Sequence, residues 1–107
     1  MRLLPHYFDL VAAGRKTVEV RVADAERAAV AAGHTVRFRC AGAHVDALVT
    51  AVRRYRSFDD LLTHEPPAAL DPTAPPGEQL ANLRRIYPPE REALGVVAIA
   101  VRVRPPP

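Results

Sequence analysis

The densest run of chemically capable side chains is Gly14-Arg15-Lys16-Thr17-Val18-Glu19-Val20-Arg21. It sets an ammonium at a corner, followed by a carboxylate and a guanidinium two residues apart. Alternate residues of a strand project from one face about 7 Å apart, so Glu19 and Arg21 can brace each other or share a ligand. A lysine at the preceding corner can reach over the same face. Such a trio can bind phosphate, hydrogen-bond a base edge or shuttle a proton. The plainer alternative is that Arg15 and Lys16 answer a helix C-terminal dipole, with Thr17, Glu19 and Arg21 forming the wet side of a strand. Lys16 draws particular notice because it is the one lysine among 15 lysines and arginines. Lysine, unlike arginine, can release its proton when desolvated and act as a base or nucleophile.

Other signatures are missing. There is no glycine-rich phosphate loop, Gly-x-Ser-x-Gly elbow or dinucleotide fingerprint. His6, His34, His44 and His64 are dispersed, without the helical spacing that grips a metal, so neither a metal nor a cofactor is expected. Cys40 has no thiol partner; beside a turn it reads as a small core residue, and a single cysteine suits a cytoplasmic home. The net charge of +3 and pI of about 9.6 favour an anionic partner. No segment approaches the ~20 apolar residues of a membrane span, and Met1 to His6 lacks the apolar core of a secretory signal.

The elements that must position the trio follow from periodicity. Pro5 to Ala13 reads as a short helix stopped at Gly14, and Thr17 to Val22 as a half-buried strand with Val18, Val20 and Val22 inward. Asp24 caps a short alanine-rich helix that closes at Gly33. Thr35 to Cys40 alternates again, and Val45 to Tyr55 is apolar on both faces as far as Val52, which predicts a central strand. Ser57 is the N-cap of a helix carrying Phe58, Leu61 and Leu62. The proline-rich stretch from His64 to Gly77 reads as an irregular loop. Glu78 to Tyr87 is an amphipathic helix, Gly95 to Arg104 a last strand, and a further short strand is expected around Arg2 to Leu4. These 107 residues suit one domain, an α+β fold with a small sheet or barrel and flanking helices, spanning residues 1–104. The prolines at 105–107 are expected to be a disordered tail.

The spacing Gly14-x-Lys16-x-x-Glu19-x-Arg21 resembles the signature of the ASCH family, a branch of the PUA-like superfamily. The resemblance continues through Asp24 and Arg27, Gly33-His34-Thr35-Val36-Arg37-Phe38, the segment Arg54 to Leu62, Ile86-Tyr87-Pro88 and Gly95-Val96-Val97. It implies a PUA-like β-barrel with a cleft beside the signature strand, and binding of RNA or a nucleotide-like ligand. In that reading Lys16, Thr17, Glu19, Arg21, Tyr55 and Ser57 form the site. Lys16 and Arg21 contact phosphate or a base edge, Glu19 orients Arg21 or accepts from a base amino group, and Tyr55 offers a stacking ring. Arg37, Arg39, Arg53, Arg54 and Arg56 would guide the backbone. Some family members resemble amidohydrolases acting on N(4)-acetylcytidine, which implies the alternative of Lys16 as general base with Glu19 as partner. There the lysine is followed three residues on by a nucleophilic threonine, where this chain has Glu19. Glu65 is a possible counterpart of the proton-donating carboxylate.

Overall fold

Alternating valines build the sheet that carries the signature. In the computed structural model, which describes residues 1–104, α1 (Pro5–Ala12) leads into β1 (Val18–Val22), α2 (Ala25–Ala28), β2 (Thr35–Cys40) and β3 (Ala43–Tyr55). Then come α3 (Phe58–His64), α4 (Pro67–Leu70), α5 (Pro76–Ile86), α6 (Pro89–Glu92) and β4 (Val96–Val103). The strands form one antiparallel sheet in the order β1-β4-β3-β2, curled into a half-barrel with helices against it, so the fold is α+β as expected. The tail expected at 105–107 lies outside the described residues.

The pleat sends successive side chains of each strand to opposite faces, and each face has its own core. On one face Val18, Val20 and Val22 of β1 meet Val96 and Ala98 of β4 under Phe58, Leu61 and Leu70 from α3 and α4. On the other, Val97, Ile99 and Val101 join Ala47, Val49 and Phe38 beneath Val11 of α1. Phe38, Phe58, Leu61 and Ile99 are fully buried, each contributing about 2 kcal/mol of apolar transfer.

Several expectations needed correction. The stretch from His64 to Gly77 is not wholly irregular: α3 runs through His64, and Pro67 begins α4 because proline suits a first helical turn. A similar proline start gives α6, a single turn where periodicity predicts no helix. The alanine-rich helix is a single turn, Ala25–Ala28, and does not reach Gly33. The expected strand around Arg2 to Leu4 exists as one parallel bridge, Arg2 to Arg39, secured by Leu3 N–H to Arg39 O at 3.0 Å and Arg39 N–H to Met1 O at 2.8 Å. β3 is central, between β4 and β2.

Candidate functional site

The corner before β1 is tightly made. Gly14 closes α1 in the left-handed region (φ +74°), and the amides of Arg15 and Lys16 both bond the carbonyl of Leu10 at 2.9 and 3.0 Å. That turn directs Lys16 inward, leaving the residue only 5% exposed. Its ammonium donates to Val18 O at 2.7 Å and to Leu70 O at 2.8 Å, and it faces Glu19 Oε1 at 3.4 Å. Glu19 is likewise buried. Its Oε1 accepts from the Val20 amide at 3.1 Å and its Oε2 from Arg21 Nε at 3.0 Å. Arg21 then donates through Nη2 to Arg2 O at 2.5 Å. The three charged groups form one chain, ammonium to carboxylate to guanidinium.

Why these groups turn inward is visible in the strand. β1 lies at the sheet edge, and its bonds to β4 use Thr17 O and Ala23 N–H, so the backbone groups of Val18 and Val20 point outward. Lys16 fills the Val18 carbonyl and Glu19 the Val20 amide. Two of the outward groups of the edge are thereby satisfied by signature side chains.

A cleft of about 330 Å³ opens along this edge, near the small end of the ~300–1,000 Å³ range of ligand sites. Its floor is Lys16, Glu19 and Arg21, and its apolar walls include Leu3, Val20, Leu70 and Leu83. Two aromatic rings border it, Tyr7 from α1 and Tyr87 from the end of α5. The Lys16 ammonium sits 5.5 Å from the Tyr7 ring centroid, within cation–π range. Burial pushes both tyrosine hydroxyls above their ordinary titration range, with the charges of Asp71 and Glu19 adding to the effect at Tyr7. Both rings are therefore neutral phenols with an apolar face.

Asp71 and Gln79 line the cleft from its helical side. Burial pushes the Asp71 carboxyl up, but bonds from the Thr73 hydroxyl at 2.6 Å and amide at 2.9 Å, with the charges of His6 and Lys16, hold it below its usual value. Gln79 donates from Nε2 to Pro67 O at 2.8 Å and Asp71 O at 3.2 Å, which fixes the amide's orientation. Its Oε1 is the one buried side-chain oxygen or nitrogen lacking a partner among the described residues. An unmet acceptor of that kind costs about 1–3 kcal/mol.

Of the residues singled out from sequence, Lys16, Glu19 and Arg21 meet in the cleft and Thr17, Tyr55 and Ser57 do not line it. Thr17 is exposed, its backbone tied to Ala69 and Val101. Ser57 caps α3, accepting from the Asp60 amide at 3.1 Å. Tyr55 pairs with Val96 at the end of β3, and β4 lies between β3 and β1, so Tyr55 is two strands away from the edge that the cleft follows. There its hydroxyl donates to Glu65 Oε2 at 2.5 Å and its ring stacks on His64 at 5.6 Å. Glu65 also accepts from Arg53 Nε and Nη2, at 2.7 and 2.8 Å, and does not line the cleft. Among the arginines expected to guide a backbone, Arg53 is committed to Glu65, Arg37 to Asp46 at 2.8 Å, and Arg54 to Ala28 O at 2.6 Å.

Tyr7, Asp71, Gln79 and Tyr87 were missed as site residues in the sequence. Only Tyr7 and Tyr87 gave any signal, as aromatic residues near a helix start and a helix end. Among the described residues no group of three or more His, Cys, Asp or Glu side chains is placed to hold a metal, and no helix is long and apolar enough to cross a membrane.

Comparison with known proteins gives a consistent result. The family model described as the ASCH domain matches residues 1–105. The crystal structure of hypothetical protein PH0355 superposes with a TM-score of 0.88 at 31% identity, covering 97% of this chain and 96% of that one. The solution NMR structure of protein PF0455 from Pyrococcus furiosus superposes with a TM-score of 0.77 at 30% identity, covering 96% and 94%. No curated protein matches the chain significantly.

Proposed function

The chain belongs to the ASCH domain family, and from that premise we propose that it is a binding module whose cleft takes a planar, base-like group of RNA or a nucleotide. The observation that carries this reading is the pairing of two neutral tyrosine rings with a charged but internally balanced floor. Aromatic faces bind nucleobases by stacking, worth about 1–3 kcal/mol per base. The floor sets Lys16 and Arg21 against Glu19, and Asp71 beside them offsets more of the positive charge. A neutral base with polar edges suits such a site better than a bare phosphate does.

The same geometry favours binding over hydrolysis of a modified nucleoside such as N(4)-acetylcytidine. A general base needs a free lone pair near the substrate. The Lys16 ammonium already meets two carbonyls and a carboxylate, and a neutral amine would turn its lone pair towards one of those oxygens. Glu19 also stands where the hydrolases carry a threonine. The site's direct ligand contacts then fall to Arg21 and the two tyrosines, with Lys16 and Glu19 holding the floor in shape.

Titration of the protein with the four common ribonucleotides, followed by amide chemical shifts, tests the reading. Shifts centred on Tyr7, Arg21 and Tyr87 are the expected result. Saturating nucleotide with no perturbation around the cleft overturns it.

A further inference from the structure

A second concavity lies against the first. It is a broad, shallow groove of about 760 Å³ lined by Arg2, Arg37, Arg39, Cys40 and His44 among others. Arg2 and Leu3 line both hollows, so the N-terminal segment is their common wall. On the cleft side the backbone of that wall accepts the Arg21 guanidinium, and on the groove side it is bridged to Arg39.

Strand register puts the basic side chains of this groove in a row. Arg2 is the bridge partner of Arg39, and Arg39 is the cross-strand partner of His44. Neighbouring strands lie about 4.8 Å apart, so the row extends about 10 Å from the cleft wall outward. All three residues are exposed. Among the described residues, none of their side chains makes a hydrogen bond or ion pair. Arg37, next on the same face, is neutralised by Asp46, so the unpaired guanidinium groups lining the groove are those of Arg2 and Arg39. The positive field is felt by the nearby Met1 amine: burial lowers its proton affinity first, and Arg21 and Arg39 lower it further.

We propose that this groove is a phosphate-binding track: Arg2, Arg39 and His44 hold the backbone of a single-stranded RNA whose base occupies the adjoining cleft. The inference rests on the cleft reading for the base and adds that the natural ligand is an oligonucleotide, not a free nucleoside. The two surfaces divide the work, because the cleft is apolar and nearly charge-balanced whereas the groove offers unpaired cations.

The test compares a ribonucleoside monophosphate with a single-stranded hexaribonucleotide by titration at low salt, for the intact protein, for Arg39→Glu and for Tyr87→Leu. The hexamer is expected to bind at least tenfold more tightly than the mononucleotide. Arg39→Glu should erase that advantage. Arg39→Ala should lower the slope of log affinity against log salt by about 0.7, the share of one neutralised phosphate on a single strand. Equal affinity for the two ligands, or an Arg39→Glu protein that keeps the hexamer advantage, overturns the track while the cleft reading stands. A hexamer that binds through Arg39 but ignores Tyr87→Leu supports the track and overturns the cleft. Failure of both ligands to bind at low salt overturns both.

Discussion

The Lys16 ammonium reaches a carbonyl 54 residues away, donating 2.8 Å to Leu70 O and so tying the corner before β1 to the end of α4. With Val18 O and Glu19 as its other partners, this lysine is a structural strap as well as part of the cleft floor. Lys16→Met removes the strap and leaves the carbonyls of Val18 and Leu70 without their donor and Glu19 a half-paired carboxylate. Loss of one member of a buried charged network costs about 3–5 kcal/mol. Urea unfolding should show that loss as a lower midpoint at constant slope; a change within about 0.5 kcal/mol refutes the strap.

Stacking is expected to be the main source of ligand affinity. Tyr7→Leu and Tyr87→Leu keep apolar bulk but remove the aromatic face. Each should weaken nucleotide binding roughly 10- to 100-fold, the equivalent of about 1–3 kcal/mol. The readout is a nucleotide titration on protein whose folding has been verified by circular dichroism. Unchanged affinity in both variants removes the rings from the site.

Tyr55 and Ser57 should behave as structural residues only. Tyr55→Phe loses the hydroxyl's bond to a charged partner, worth about 1.5–3 kcal/mol before discounting its partial exposure. Ser57→Ala loses a helix cap, worth about 1 kcal/mol. Both variants should melt earlier and bind nucleotide as tightly as the parent. A binding defect without a stability defect contradicts their placement.

Acid should unfold the protein partly through Glu65. Its carboxyl is held below the ordinary value of 4.5 by the Arg53 guanidinium first, against the opposing effect of burial, with the Tyr55 hydroxyl helping. A group whose folded pKa is depressed binds its proton more readily when unfolded. Its stabilising contribution is therefore complete above about pH 4.5 and disappears as pH falls through the lowered folded value. Arg53→Met removes the main cause of the depression, so less of the acid-labile stability should remain to be lost. Unfolding free energies measured from neutral pH downward should fall less steeply for this variant, and an identical acid limb would refute the assignment.

Periodicity made the sheet legible in the sequence, because valines alternate with polar residues along β1 and apolar residues occupy both faces of the central β3. The trio was legible for a related reason: spacing on a strand determines which side chains share a face, and Glu19 and Arg21 do so. The rest of the site was less accessible because it is assembled across the fold. Asp71 and Gln79 come from a proline-rich stretch and the helix after it, and no local pattern announces that they approach β1. Tyr55 was assigned to the cleft from its place in a motif. The strand order, which puts β4 between Tyr55 and the edge strand β1, is a tertiary fact. The short α4 escaped notice because its prolines argue for a loop as readily as for a helix start.

An unpaired strand at the border of a sheet invites a neighbouring molecule to add its own strand. In β1 the Val18 carbonyl and the Val20 amide, which would welcome such a guest, are already occupied by Lys16 and Glu19. The signature thus plugs the border from within the chain, and substitutions that empty the plug expose it to self-association.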